Sequence, residues 1–493
     1  MLFNSLSFLI FFPIVSLLYF LLPHKLRWVL LLLASCIFYM AFIPEYILIL
    51  FFLIGVDYIA GIQIEQSKGY KRKAYLILSI LASVAVLFTF KYVNFFAMNI
   101  AQLANFFHLN YSFPLLKLLL PIGLSFHTFQ SLSYVIEVYK KKQKAERHLG
   151  IYALYVMFYP QLVAGPIERP QNLLPQLHAQ HVFSDTDASD GLKRMVIGFF
   201  KKVVIADKLA LVVNQVYGSP QDYTGMPLLI ASLAFAFQIY YDFSGYSDIA
   251  IGTARFMGIR LTENFHFPYF ATSLPDFWRR WHMSLYSWFR DYIYIPLGGN
   301  RVKALARYRN ILFVFTLSGL WHGAAWTYVF WGFLHGVYLI LYDIGEHAIL
   351  LTKKSLKSLY VSPLLHIISI GTTFTLVCAA WIVFRARTIT DASYIFANLF
   401  TNIDKLVFAL IINNRLSIDA LIFSQGKGLG LLPEELLIAI ASLGAMGVYE
   451  WLQATNRVVK LPRIVRYAIY IIFVLSIINL GITKKTPFIY FQF

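Results

Sequence analysis

Apolar residues run in long stretches along this chain, and short basic clusters punctuate them. Residues 2–22, 28–43, 46–64, 74–96 and 115–139 are apolar over most of their length. A helix crosses a bilayer core with about 20 such residues. Between them fall Lys25 and Arg27, the loop from Lys68 to Lys73, and Lys140-Lys141-Lys142 with Lys144. Placing each basic cluster on the cytoplasmic side sends the first helix inward and alternates the rest. The apolar start has no basic leader or small-residue cleavage site, so it reads as a membrane helix and not as a removed signal peptide.

The middle of the chain is less regular. Residues 150–164 are short for a span and end at Gly165-Pro166, which predicts a re-entrant segment enclosed by protein. Residues 166–192 are polar and read as a loop or interfacial segment, and 195–216 and 227–252 as spans. Between 276 and 292, Phe277, Trp281, Leu285, Trp288 and Tyr292 recur every three or four positions among arginines. That spacing predicts one amphipathic interfacial helix, opened by Ser273 or Asp276 and closed by Pro296-Leu297-Gly298-Gly299. Residues 310–350 predict two helices with a break near Gly323, and spans follow at 363–384, 406–424, 431–453 and 463–483. Simple counting places Arg385 and Arg387 outside, against the positive-inside pattern. The expected architecture is all-α and polytopic. It has about eleven transmembrane helices, with re-entrant and interfacial helices, in a single domain over 1–493 without repeats or linkers.

Composition agrees with this pattern. The chain is 59% hydrophobic and 13% charged, where soluble domains carry roughly 25% charged residues. The net charge of +18 would suggest nucleic acid in a soluble protein. Here the basic residues sit between apolar runs, as contact with anionic lipid headgroups requires. Cys36 and Cys378 both lie in apolar segments and read as small core residues. There is no paired-cysteine or His-Glu-x-x-His metal motif and no phosphate-cradling glycine loop. Nucleotide-driven transport is therefore disfavoured.

Some polar residues sit where hydrocarbon makes them costly. His322 lies in Leu317-Ser318-Gly319-Leu320-Trp321-His322-Gly323, inside the apolar stretch from Ile311 to Tyr342. Imidazole titrates near neutrality and suits proton transfer. The plain alternative is a buried histidine bonded to a carbonyl. Gly319 and Gly323 are expected to leave room beside the ring. Ser318, four residues earlier, shares its helical face, as a nucleophile or as a serine bonded to its own i−4 carbonyl. His335 is secondary. His282, after Trp278-Arg279-Arg280-Trp281, reads either as a headgroup contact or as part of an anionic-ligand frame with Arg279 and Arg280. Asp242, in Tyr241-Asp242-Phe243-Ser244-Gly245-Tyr246-Ser247-Asp248, needs a partner at that depth. A buried Lys or Arg would make it structural; without one it would wall an acceptor channel. The inlay around His127 has the same two readings. Gly165-Pro166-Ile167-Glu168-Arg169-Pro170 reads as a structured turn beside an entrance.

Taken together, Phe277-Trp278-Arg279-Arg280-Trp281-His282, Arg290-Asp291-Tyr292-Ile293-Tyr294-Ile295-Pro296-Leu297-Gly298-Gly299-Asn300-Arg301 and the Leu317–Gly323 motif resemble the core signature of membrane-bound O-acyltransferases. The opening Met1-Leu2-Phe3-Asn4-Ser5, Pro121-Ile122-Gly123, Gly165-Pro166-Ile167, the Tyr241–Asp248 motif and the closing Phe488-Ile489-Tyr490-Phe491-Gln492-Phe493 resemble the bacterial alginate O-acetyltransferase branch. The resemblance covers essentially the whole chain. It implies a helical fold pierced by a tunnel in the bacterial cytoplasmic (inner) membrane. It also implies His322 as catalytic base and His282 as the second characteristic histidine, with Arg279, Arg280, Trp321, Ser318 and Asp242 as candidate substrate or donor contacts.

The implied donor is acetyl-CoA or another acyl thioester, with no tightly bound cofactor and no metal. The implied acceptor is an extracytoplasmic polysaccharide such as alginate or peptidoglycan, reached directly or through a secreted SGNH-type acetyltransferase. Membrane lipids are expected partners and nucleic acid is not. D-alanyl transfer to teichoic acid from a carrier protein, and a non-enzymatic transporter, are the alternatives.

Overall fold

A computed structural model describes residues 1–109, 115–116, 118–163, 165–351, 363–423, 425–426, 428–482 and 488–489. Among these residues the regular structure is helical throughout. They group into two compact units, 1–196 with 246–263, and 197–245 with 264–493.

The first unit opens with α1 (Leu6–Leu21), α2 (His24–Met40), α3 (Ile47–Gln66), α4 (Gly69–Leu87) and α5 (Val93–Phe106). The Ser5 side chain caps α1 by accepting from the Phe8 amide. Leu6, Leu9, Ile14, Leu17 and Leu21 then stand exposed along it, the surface a lipid-facing helix presents. The next helices are α6 (Leu124–Tyr139), α7 (Leu149–Met157), α8 (Pro170–His178) and α9 (Asp185–Phe199). The segment expected to be re-entrant is α7 followed by turns, and every residue from Ile151 to Val163 is buried. Irregular backbone enclosed by protein satisfies its polar groups away from lipid.

The stretch 166–192, expected to be a polar loop or an interfacial segment, contains α8 and the start of α9. Glu168 explains the turn before α8. It is fully buried, accepts from the Thr262 amide and hydroxyl, and accepts from Asn172 at 2.6 Å. The turn is therefore a clamp between chain segments. His127 is buried on α6 against the Tyr39 ring.

The chain passes between units within α9, again within α11 (Met226–Phe256), and a third time between Glu263 and Asn264. The second unit holds a π-turn at Phe200–Ala206, α10 (Asp207–Gly218), the first part of α11, α12 (Leu274–Arg280), α13 (Met283–Phe289), α14 (Ala304–His322) and α15 (Trp326–Leu351). It ends with α16 (Pro363–Arg385), α17 (Ile389–Asn398), α18 (Ile403–Ile411), α19 (Arg415–Ile422), α20 (Pro433–Ala454) and α21 (Arg463–Leu480). The predicted span 406–424 is not one helix. Asn413, with φ +50°, separates α18 from α19.

Seven helices among the described residues are long and apolar enough to cross a membrane, or eight if the bent pair α17–α18 is one span. This count is below the eleven or so expected. Helices such as α1 and α6 have 16 residues, and α14 opens with Arg307 and Arg309 in its first turns. Arg385 and Arg387 have a local explanation. Arg385 donates to Asn214 at 2.8 Å and Arg387 to the Gly218 carbonyl at 3.2 Å. They hold the C-terminal end of α10, where cations are favoured by the helix dipole.

Candidate active site

The site is built on the helical hairpin α14–α15. Its two helices approach at glycines. A Cβ added at Gly319 would lie 2.2 Å from the Tyr328 carbonyl oxygen, and one at Gly332 would lie 2.2 Å from that of Phe315. Only a missing side chain lets backbones pack so closely. At Gly323 an added Cβ would meet the Tyr328 ring at 2.1 Å. These glycines therefore seat α15 and do not open space beside His322.

His322 closes α14 just before the break at 323–325. Its ring stands edge-on to Trp331 at 5.2 Å and Phe384 at 5.5 Å between centroids, and Trp321 lies 4.9 Å away. Trp331 in turn stacks on Trp381. His335 also packs against this aromatic group, 5.0 Å from both Trp278 and Trp331.

His282 comes from a different local device. The amphipathic pattern of 276–292 suggested one helix, but the chain breaks into α12 and α13 with His282 between them at φ +43°. Ser273 caps the first piece, accepting from Asp276. Asn264, fully buried, holds the break from outside. Its carbonyl accepts from the Met283 amide at 2.9 Å, and its side-chain oxygen accepts from the Ser284 hydroxyl at 2.9 Å. A left-handed histidine is uncommon in proteins; this one carries its ring inward, against Phe243 at 4.6 Å and Phe265 at 6.4 Å.

Both histidines line one cavity of about 350 Å³. Along α14 its wall is Arg307, Ile311, Val314, Phe315, Ser318 and His322, a single stripe at three- and four-residue spacing. Fifteen residues at 1.5 Å each make that wall about 22 Å long. Leu339, Tyr342, Asp343 and Glu346 face it from α15, Trp278 from α12, Trp281 from the break after it, and Leu285 from α13. The cavity is graded in chemistry. At the Arg307 end it carries Arg290, Tyr294, Asn300, Asp343 and Glu346, and at the His322 end it is aromatic. Arg307 pairs with Asp343, which also accepts from Tyr308 at 3.0 Å. Tyr294 donates to Asn300 at 2.6 Å.

Several candidates from the sequence do not line this cavity. Arg279 is exposed and sits 3.6 Å from Asp276, and Arg280 pairs with the same carboxylate at 3.0 Å. The arginines that line it are Arg290 and Arg307. Arg290 belongs to the signature segment, whereas nothing in the local pattern marks Arg307 or Asn264. Trp321 packs between the two histidine rings without lining the cavity. Asp242 has the buried lysine that makes it structural. Lys202 lies 2.7 Å from Asp242 and 2.9 Å from Asp207, and the second Asp242 oxygen accepts from the Ile489 amide at 2.9 Å. Phe488, in the same tail, packs on Phe243; residues 490–493 of the closing motif lie outside the described residues.

Comparison with known proteins converges on the same class. Residues 16–349 match the membrane-bound O-acyltransferase family. The chain is 35% identical to a Pseudomonas putida protein named probable alginate O-acetylase, over 100% of both chains. It is 37% identical to a Helicobacter pylori protein named peptidoglycan O-acetyltransferase, covering 73% of this chain and 71% of that one. It is 27% identical to a Bacillus subtilis protein named teichoic acid D-alanyltransferase, over 54% of this chain and 69% of the relative.

Proposed function

Because the chain belongs to the membrane-bound O-acyltransferase family and is an integral membrane O-acyltransferase, we propose that it takes an acetyl group from a cytoplasmic thioester for O-acetylation of an extracytoplasmic polysaccharide. The observation that carries this reading is one graded cavity, with cations and hydrogen-bonding groups at one end and both histidines in its wall. The Arg307 end adjoins the basic segment Arg301, Lys303 and Arg309. Positive-inside topology puts that end at the cytoplasm of the bacterial inner membrane. Guanidinium groups such as Arg290 and Arg307 suit the phosphates of a coenzyme such as CoA. The narrow apolar stripe beyond them admits a thin acyl-bearing arm.

In this mechanism the thioester carbonyl rests beside His322. Neutral imidazole takes the proton of the acceptor hydroxyl as its oxygen attacks the carbonyl carbon. The carbon–sulfur bond then breaks, and the imidazolium returns the proton to the departing thiolate. The acetyl group ends on oxygen and the proton on sulfur, so no other reactant is needed. The surrounding aromatic rings exclude water that would hydrolyse the thioester. His282, locked by Asn264, positions the reacting groups from the facing wall. The acceptor is an envelope glycan such as alginate or peptidoglycan, reached directly or through a secreted SGNH-type acetyltransferase. The longer and closer alignments to proteins named for O-acetylation favour acetyl over D-alanyl transfer.

The test is His322→Ala in proteoliposomes supplied with radiolabelled acetyl thioester. Acetyl transfer should fall about 10²–10⁴-fold while helix content and elution from size exclusion stay those of the parent. Near-normal transfer by a folded variant would overturn the assignment.

A further inference from the structure

A second cavity lies in the first unit, and the acyl-transfer reading makes no use of it. It has a volume of about 240 Å³, several times the ~30 Å³ share of one water. It sits where the basic cluster after α1 meets the start of α2. His24, Lys25, Arg27 and Trp28 line it from α2, His148 from the start of α7, and His178 from the end of α8. Its floor is apolar, with Leu31, Leu154 and Ile259 among the lining residues.

Its polar groups are mostly donors. Arg27 is anchored by donating to the Leu22 and His181 carbonyls, and its guanidinium lies 4.8 Å from the Tyr19 ring centroid. Its position is thereby set while its charge is kept. His148 accepts the Ile151 amide on Nδ1 at 3.1 Å. The proton of the neutral ring must then sit on Nε2, so the free side of that ring donates. Its ring stands edge-on to Trp28 at 4.7 Å, and Trp28 lies over Gly150, where a Cβ would come within 2.2 Å. The N-terminus of α2 has no side-chain cap, which leaves its dipole for a negative group. Lys25 is exposed, and no hydrogen bond or ion pair engages it or His24 among the described residues. The nearby carboxylate, Glu146, is engaged by His178 at 2.8 Å and by the His148 amide at 2.8 Å.

We infer that this cavity binds the phosphate headgroup of an anionic phospholipid from the cytoplasmic leaflet. A free anion would be served by the cations alone. The apolar floor and the tryptophan, beside exposed Leu26, Leu33 and Ile37 further along the same helix, suit a ligand that continues into hydrocarbon. Basic pockets between membrane helices on this side recognise anionic headgroups by this combination.

The experiment uses the full chain in detergent and native mass spectrometry after incubation with phosphatidylglycerol or phosphatidylcholine. The parent should retain phosphatidylglycerol in preference. The double substitution His24→Gln with Lys25→Glu, which disturbs none of the anchoring hydrogen bonds, should cut retention at least fivefold. Lys71→Glu, an equal charge change in the exposed first turn of α4 outside the cavity, should leave retention within twofold. Equal loss in both variants would reduce the effect to general surface charge and overturn the site. Displacement of the lipid by millimolar inorganic phosphate, with phosphate bound as well by the parent, would assign the cavity to a free anion and overturn the lipid. Failure of the acyl-transfer reading would leave these outcomes unchanged, because none measures transfer.

Discussion

Two groups of buried polar residues in the second unit invite comparison, because hydrocarbon makes both expensive. Lys202, Asp207 and Asp242 are each about 2% exposed and close an ion-paired triad, with the Ile489 amide on the remaining oxygen. Beside it Lys201 pairs with Glu450 at 3.1 Å, and Tyr240 donates to the same carboxylate at 2.9 Å. His282 and His322 are similarly buried, at 1% and 4%. Their neighbours are mainly aromatic rings, and both border an open cavity. In one group opposite charges from the fold itself face each other. In the other, aromatic rings surround the histidines and a cavity borders them. Burial alone does not separate structure from chemistry in a membrane protein; the presence of built-in charge partners does.

The strongest challenge to this contrast is Lys202→Met. It strips the counter-charge from two buried carboxylates, which typically costs roughly 3–5 kcal/mol. The expected result is low yield and a large drop in thermal unfolding temperature in detergent, in contrast to the folded but inactive His322→Ala protein. A stable Lys202→Met variant without transferase activity would move the triad into the chemistry. Gly319→Val probes the scaffold of the open group. With its Cβ driven against the Tyr328 carbonyl, it should separate α14 from α15 and cost about 1–3 kcal/mol. Activity should fall further than that loss of stability explains, because His322 moves with α14.

Smaller effects sharpen the map of the cavity. Arg307→Gln should raise the donor KM about tenfold, or ~1.4 kcal/mol, with kcat little changed, as expected for a charged hydrogen bond made equally in ground and transition states. A change confined to kcat would place Arg307 nearer the reacting atoms than the cavity geometry does. Arg280→Gln should alter donor KM by less than about twofold, since a partly exposed ion pair contributes roughly 0–1 kcal/mol. A tenfold effect there would restore Arg280 as a donor contact.

Much of the architecture was legible along the chain. Long apolar runs oblige the backbone to satisfy its own hydrogen bonds, and helices are the local way to do so. The break near Gly323 and the cap, offered as Ser273 or Asp276 and found at Ser273, were readable because each depends on neighbours in sequence. His322 stood out for its cost, and the signature segments carried the family. The interfacial helix was misread at His282. The break there depends on Asn264, eighteen positions earlier, which no local periodicity reveals.

The same limit governed the charged residues. Arg279 and Arg280 resemble Arg290 and Arg307 as sequence, yet the first two turn to Asp276 and the other two line the cavity. Asp242 became structural once Lys202 was brought against it from forty positions away. The sequence by itself determined the class of the molecule, its helices and which polar residues carry a price. Only the tertiary structure decided which of them line the cavity and which are packed elsewhere in the fold. In a chain this uniformly apolar, lipid-facing, core-facing and cavity-facing stripes look alike, and the partner that settles each case is distant in sequence.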